Sequence, residues 1–332
     1  VLRTGLVKTE MVFGTLAGSA VLQAILGTAQ FIKQGSLGLA RFGEAVLGSE
    51  VPGVAKIIVD GAKVARSYGT FPHPNVLAAF LILGLCSLYY FWLRRPSEWR
   101  LFSSWKNLLS DLIIGVGIFT ILLGLLFSFS RAAWAIAALI TVLIIGYSIL
   151  AKPTFRQSVR LLILLLAIGA LLFAAFRPYI SARAQFSIDE PAVVLRSIYN
   201  KIGWEIIKTR PLGVGIGNQV AFTRESGLYQ KFGLTESWQH QPIHNIYLLI
   251  ASEVGILGLL AFLFFLANLI IHNSSFIIPK LMLVALILFG LADHFLWTFQ
   301  SGALMLWLTI GLILGLTNRN TLYYNKKHEN NN

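Results

Sequence analysis

The chain has 332 residues, 56% of them hydrophobic and only 12% charged, with a mean hydropathy of +0.72. This excludes an ordinary soluble domain and predicts an integral membrane protein whose apolar surface faces lipid. The net charge of +13 is explained first by the basic bias of cytoplasmic loops, and no interleaving of aromatic and basic residues points to nucleic acid.

The expected fold is all-α, a polytopic transmembrane bundle. A bilayer core about 30 Å thick is crossed by about 20 apolar residues of helix. Runs of that kind lie near 11–32, 75–93, 110–128, 132–150, 160–177, 246–271, 280–298 and 302–317, about eight spans in one membrane domain. Gln23, Gln30 and several glycines dilute the first, and the last two require a tight turn near Gln300. The single cysteine, Cys86, sits in an apolar run, which predicts packing and excludes a disulfide framework within the chain. The chain begins at Val1 without the charged, apolar and small-residue order of a signal peptide, and upstream spans are therefore expected.

Orientation follows from short basic connections. Arg94, Arg95, Arg100 and Lys106, then Lys152, Arg156 and Arg160, then Lys280, and finally Arg319, Lys326 and Lys327 fall on one side if the spans alternate. That side is cytoplasmic by the positive-inside rule, and both ends of the chain lie there, the tail 318–332 closing in a disordered polar run. Two longer loops, 33–74 and 178–245, face outward. Their own basic residues are exempt from the rule by length and suit anionic partners such as the phosphates of a lipid-linked substrate, besides forming ordinary solvated surface.

Within the second loop, Val194, Ile198, Ile202 and Ile206 recur every fourth position, which predicts an amphipathic helix over 191–209. Asp189-Glu190-Pro191 starts it and Pro211 with Gly213 stops it, leaving Arg210 at its end, on the membrane surface or capping the bundle. The run Gly213-Val214-Gly215-Ile216-Gly217 has the wrong spacing for a dinucleotide loop and no βαβ unit around it. It reads instead as a turn that allows positive φ and close backbone approach, to another segment or to a phosphate.

The candidate site residues sit at predicted outer ends of spans. Arg131, with Trp134 beside it, follows a tight turn at Ser128-Phe129-Ser130, where a guanidinium either snorkels or is placed to match a phosphate. Arg66 precedes Phe71-Pro72-His73-Pro74-Asn75 and offers a second phosphate contact, while Asn75 reads as the cap of the following helix. His244 stands directly before an apolar helix with Asn245 next to it and His240 in the same loop. Imidazole exchanges protons near neutral pH, so His244 is a candidate base as well as an interfacial or capping residue. Pro242 separates the two histidines and spoils the helical face a metal pair needs, so neither a metal nor another cofactor is expected. Glu253, Asp293 and His294 are ionisable groups at expected membrane depth, either structural partners or a proton path.

Gly69-Thr70-Phe71-Pro72-His73-Pro74-Asn75, Ser130-Arg131-Ala132-Ala133-Trp134, Arg210-Pro211-Leu212-Gly213-Val214-Gly215 and His244-Asn245-Ile246-Tyr247-Leu248 through Glu253-Val254-Gly255-Ile256-Leu257-Gly258 together resemble the O-antigen ligase and polymerase family. The resemblance covers about residues 11–317 and implies a metal-independent glycosyltransferase of the bacterial cytoplasmic membrane, active on its outer face. The donor it implies is a polyprenyl-pyrophosphate-linked glycan and the acceptor a hydroxyl of a lipid, glycan or protein. It further implies that Arg131 and Arg210 hold the pyrophosphate and that His244 contacts or activates the acceptor; Arg66, Asn245, His240 and Trp134 are the candidate substrate-binding residues beside them. Inversion at the anomeric carbon is expected for one direct displacement. A polymerase of the same family, and a carrier of lipid-linked glycan or another anion that uses Glu253 or Asp293 for proton coupling, are the alternatives.

Overall fold

The computed structural model describes residues 8–94, 105–150, 154–185, 187, 190–272 and 277–329. Arg95, Arg100, Lys152, Asp189 and residues 330–332, which entered the orientation, start-signal and tail expectations, lie outside them. The chain divides into two compact units, one drawn from Val1–Gln185, Ile277–Ala285 and Leu322–Asn332, the other from Phe186–Phe276 and Leu286–Thr321. Among the described residues, six helices are long and apolar enough to cross a membrane: Thr9–Lys33, Pro74–Leu93, Leu108–Phe127, Arg131–Leu150, Phe155–Ala184 and Ile246–Ile271. Two further apolar helices, Ile277–Gly290 and Gln300–Gly315, are shorter. The chain is an all-α multi-pass membrane protein.

The first unit is built from α1 (Thr9–Lys33), α2 (Pro74–Leu93), α3 (Trp105–Phe127), α4 (Arg131–Leu150) and α5 (Phe155–Ala184). Its central helix is α2, 89% buried over its most apolar window, whereas α5 is only 17% buried there and leaves most of that surface exposed. Small residues bring the helices together: a Cβ on Gly84 would strike Ala20, and one on Gly124 would come within 2.8 Å of the Ala24 side chain. Lipid is as apolar as leucine, so close backbone approach of this kind, not the hydrophobic effect, holds such helices. Helix α5 runs beyond the predicted end at residue 177. Pro178 removes one backbone donor and the backbone bends at Phe176, but the helix resumes to Ala184.

The loop after α1 contains a hairpin absent from the sequence reading, β1 (Lys56–Val59) and β2 (Ala62–Ala65), antiparallel with Val59 opposite Ala62. Asp60 and Gly61 both adopt positive φ, +49° and +81°, the turn that suits the twist of a two-residue hairpin. The polar residues that dilute α1 serve this loop. The Gln30 carbonyl accepts from the backbone N–H groups of Tyr68 and Gly69, and its amide donates to Glu44 and to the Gly69 carbonyl. Gln23 does the same for Thr70. Gln30→Leu would leave two buried donors unpaired, at about 1–3 kcal/mol each. We expect a thermal unfolding midpoint in detergent well below that of the wild type.

The second unit contains α6 (Pro191–Thr209), α7 (Gln219–Glu225), α8 (Leu228–Lys231), α9 (Ile246–His272) and α11 (Phe295–Thr298); α10 (Ile277–Gly290) and α12 (Gln300–Glu329) pass between the units in sequence. Helix α6 spans the predicted amphipathic stretch. Its apolar stripe is spent on protein, with Tyr199, Ile202 and Ile206 packing against Leu228, Tyr229 and Leu234. The backbone of α12 stays helical through Glu329, into the stretch expected to be disordered, because extending a helix already nucleated costs little per residue.

Candidate active site

Four predicted site residues fall in the second unit, and α9 organises them. Asn245 is its N-cap: the side-chain oxygen accepts from the N–H groups of Tyr247 (3.0 Å) and Leu248 (3.2 Å), a contact worth about 1 kcal/mol. The Asn245 amide also donates to the Leu291 carbonyl, 3.3 Å away. This cap fixes the residue before it, His244. The His244 ring stacks on Tyr199 of α6 at 5.1 Å and 12°, and meets the edge of His294 at 4.7 Å and 86°.

Nδ1 of His244 lies 2.9 Å from the Pro242 carbonyl. A carbonyl can only accept, so Nδ1 carries the proton and Nε2 keeps its lone pair. Burial pushes the imidazole down to about 4, assisted by His294 and Arg196 and opposed by Asp293. His244 is therefore neutral at physiological pH, with its basic nitrogen fixed by the geometry of the other one. His240 is engaged elsewhere, stacked on Tyr229 at 4.4 Å with Nε2 donating to the Leu234 carbonyl.

Arg210 is the C-cap residue of α6, its N–H bonded to the Ile206 carbonyl at 2.7 Å, with its guanidinium over the Phe222 ring at 5.9 Å and the residue exposed. The glycine run after it explains how it is held. Helix α9 is interrupted at Gly255, whose φ of 82° and ψ of 173° are extended and left-handed rather than helical. The interruption frees carbonyls and an N–H group, and the loop takes them up. Val214 N–H donates to the Ser252 carbonyl (2.9 Å), Gly215 N–H to the Glu253 carbonyl (2.9 Å), and Ile256 N–H to the Pro211 carbonyl (3.0 Å). Gly213 and Gly255 permit this approach. A Cβ on Gly213 would strike the Glu253 carbonyl, and one on Gly255 would lie 2.7 Å from the Leu212 backbone. The glycine loop thus grips a broken helix by backbone pairing.

Glu253, buried at this break, accepts from the Trp297 indole at 2.8 Å and lies 3.5 Å from the Gln219 N–H. Asp293 and His294 occupy the gap between α10 and α11. Asp293 accepts the His294 N–H at 2.8 Å, and the His294 ring pairs with Thr298 at 2.6 Å. Tyr199 and His294 as neighbours of His244 were not legible in sequence, since only tertiary packing brings positions so far apart in the chain together; the one signal was an imidazole inside an apolar run.

In the first unit, Arg131 opens α4, half-buried, with Nη1 donating to the Gln185 carbonyl at 3.2 Å. The turn before it places buried Phe129 at a φ of +46°, and the Trp134 indole donates to the Leu125 carbonyl at 2.9 Å, tying the turn to α3. Arg66 is buried, with Nε donating to the Ser128 carbonyl (2.6 Å) and Nη2 to Asn75 (3.0 Å), a cross-link among loop, turn and helix. Asn75 is not the cap of α2. That task falls to His73, whose Nδ1 accepts the Asn75 N–H at 3.2 Å, because Pro74 takes the first helical position and shifts the boundary by two residues.

No curated protein matches the chain. Residues 116–263, which include Arg131, Arg210, the glycine loop, His244 and the break in α9, match the family model described as O-antigen ligase, a domain match that supports membership of that family.

Proposed function

We propose that this membrane protein transfers a glycan from a polyprenyl-pyrophosphate carrier to an acceptor hydroxyl at the outer face of the cytoplasmic membrane, with inversion at the anomeric carbon. The observation that carries this reading is the state of His244: neutral, tautomer set by the Pro242 carbonyl, with Nε2 left as a base. In the proposed step the acceptor oxygen attacks the anomeric carbon while its proton passes to Nε2. The bond from that carbon to the pyrophosphate oxygen breaks, and the pyrophosphate leaves with the electron pair. Arg210 supplies positive charge for the departing group, the task for which a planar fork of donors suits a phosphate. Positive charge held in place before the reaction stabilises the transition state without reorganisation.

The test is transfer by the reconstituted protein in the presence of chelator, from a polyprenyl-pyrophosphate oligosaccharide to a panel of lipid, glycan and protein acceptors. Arg210→Lys keeps the charge but loses the fork, and a rate fall of about 10²-fold is expected from the loss of one oxyanion-type contact. Donor binding with no transfer to any acceptor would point to a carrier instead.

The depressed basicity of His244 also fixes a pH dependence. The base works when neutral and is lost as pH falls through its folded value, so the acid limb of kcat/KM should lie near about 4 and not near the ordinary 6.5. A profile that falls off already between pH 7 and 6 would remove His244 as the free-enzyme base.

A further inference from the structure

The loop that grips α9 also presents an apolar face. Leu212 is 79% exposed and Ile216 73%, whereas Val214 between them packs against the core of α6 and α8. The segment is a run of turns in which Gly213, Gly215 and Gly217 all take positive φ, and it leaves the side chains of Leu212 and Ile216 out of that core. Two large apolar side chains held out together need an apolar neighbour.

The pairing to α9 fixes the level at which they sit. The loop is bonded to Ser252 and Glu253, and the helix below the break, Ile256–Ile271, rises about 24 Å at 1.5 Å per residue. A hydrocarbon core is about 30 Å thick. If α9 crosses it, the loop lies at the edge of that core, on the side where α9 begins. Non-helical backbone is tolerated near such depth when its polar groups find partners, and the three loop-to-helix bonds pair Pro211, Val214 and Gly215. Arg210 at the start of the loop and Lys208 just before it are exposed, with Trp204 exposed one turn earlier on α6. Cations and an indole beside an apolar tip are the composition of a segment at the headgroup boundary.

We propose that Arg210–Gly217 is a lipid-inserted loop, with Leu212 and Ile216 among acyl chains of the bilayer and Arg210 at the level of the headgroup phosphates. The inference rests on α9 spanning the membrane and is independent of the reaction proposed above. It implies that an anionic lipid headgroup reaches Arg210 sideways from the bilayer.

The experiment uses the full chain in phosphatidylcholine vesicles. Cys86 is buried in α2, so a bimane label added to Leu212→Cys or Ile216→Cys reports on one site, with unsubstituted protein as the labelling blank. Gln230→Cys, on the exposed side of α8, is the aqueous reference. Nitroxide on the lipid acyl chain should quench both loop labels at least about twofold more than the reference, and iodide should quench them at least about twofold less, as expected for groups held in hydrocarbon. Two separate loop positions guard against a local perturbation by either substitution. Loop labels quenched by iodide as strongly as Gln230→Cys, and not by the acyl-chain nitroxide, would overturn the inference.

Discussion

His244→Ala is expected to lower glycan transfer by about 10²–10⁴-fold, the usual contribution of a positioned general base. The effect should fall on kcat, with the affinity for the lipid-linked donor nearly unchanged, because the ring's proposed work is on the acceptor proton. The truncation also removes the stacking on Tyr199 and the edge contact with His294, so stability has to be read separately. His244→Gln supplies that control. It restores polar bulk between the two rings but has no basic nitrogen, so it should be folded and as slow as the alanine variant. A His244→Gln enzyme within tenfold of wild type would place the base elsewhere and leave His244 as a structural neighbour of the α9 cap.

Gly213→Ala should be the most damaging conservative substitution in the glycine loop, and Gly217→Ala the instructive comparison. Both glycines have positive φ, +84° and +77°, so either substitution carries the left-handed strain of about 1–2 kcal/mol. Only Gly213 has the α9 backbone against it; nothing lies within 4 Å of a Cβ on Gly217. At Gly213 the added methyl forces the loop away and loosens the bonds to the Ser252 and Glu253 carbonyls, each worth about 1 kcal/mol in water and more where no water can replace the partner. The two variants should therefore separate by about 2 kcal/mol in thermal unfolding in detergent, with Gly213→Ala the less stable. Equal losses would mean that the loop does not depend on the broken helix.

Much of this architecture is legible in the residues themselves. Long apolar runs specify the spans, and the fourfold recurrence through Ile198, Ile202 and Ile206 marks α6, because each signal is local and periodic. The hairpin at Asp60-Gly61 had its turn signal, but its strands are only four residues each and hide among polar neighbours. Gln23 and Gln30 read as defects in a span and turned out to be partners for the backbone of a loop some 40 residues away. The glycine run was readable as a site of close approach, though not its target, since Glu253 and Gly255 mark the span without showing which segment pairs with it. His244 and Arg210 were nameable from residue chemistry. Tyr199 and His294, which set the surroundings of His244, were not, because they reach it only through packing.

The interruption of α9 has a consequence for the order in which the molecule is assembled. A hydrophobic helix is ordinarily complete by itself when it enters the bilayer, since every internal backbone group pairs within the segment. Here the upper turn is incomplete until Pro211, Val214 and Gly215 arrive. Those residues precede α9 in the chain, so they have already left the ribosome when Ser252 and Glu253 emerge. The partner is waiting, tethered only about 40 residues upstream, and closing a loop of that length is fast compared with synthesis at about 5–20 residues per second. Assembly from the amino-terminal side thus protects the exposed carbonyls, and a circular permutant that delivers α9 before residues 210–217 should insert less efficiently than the natural order.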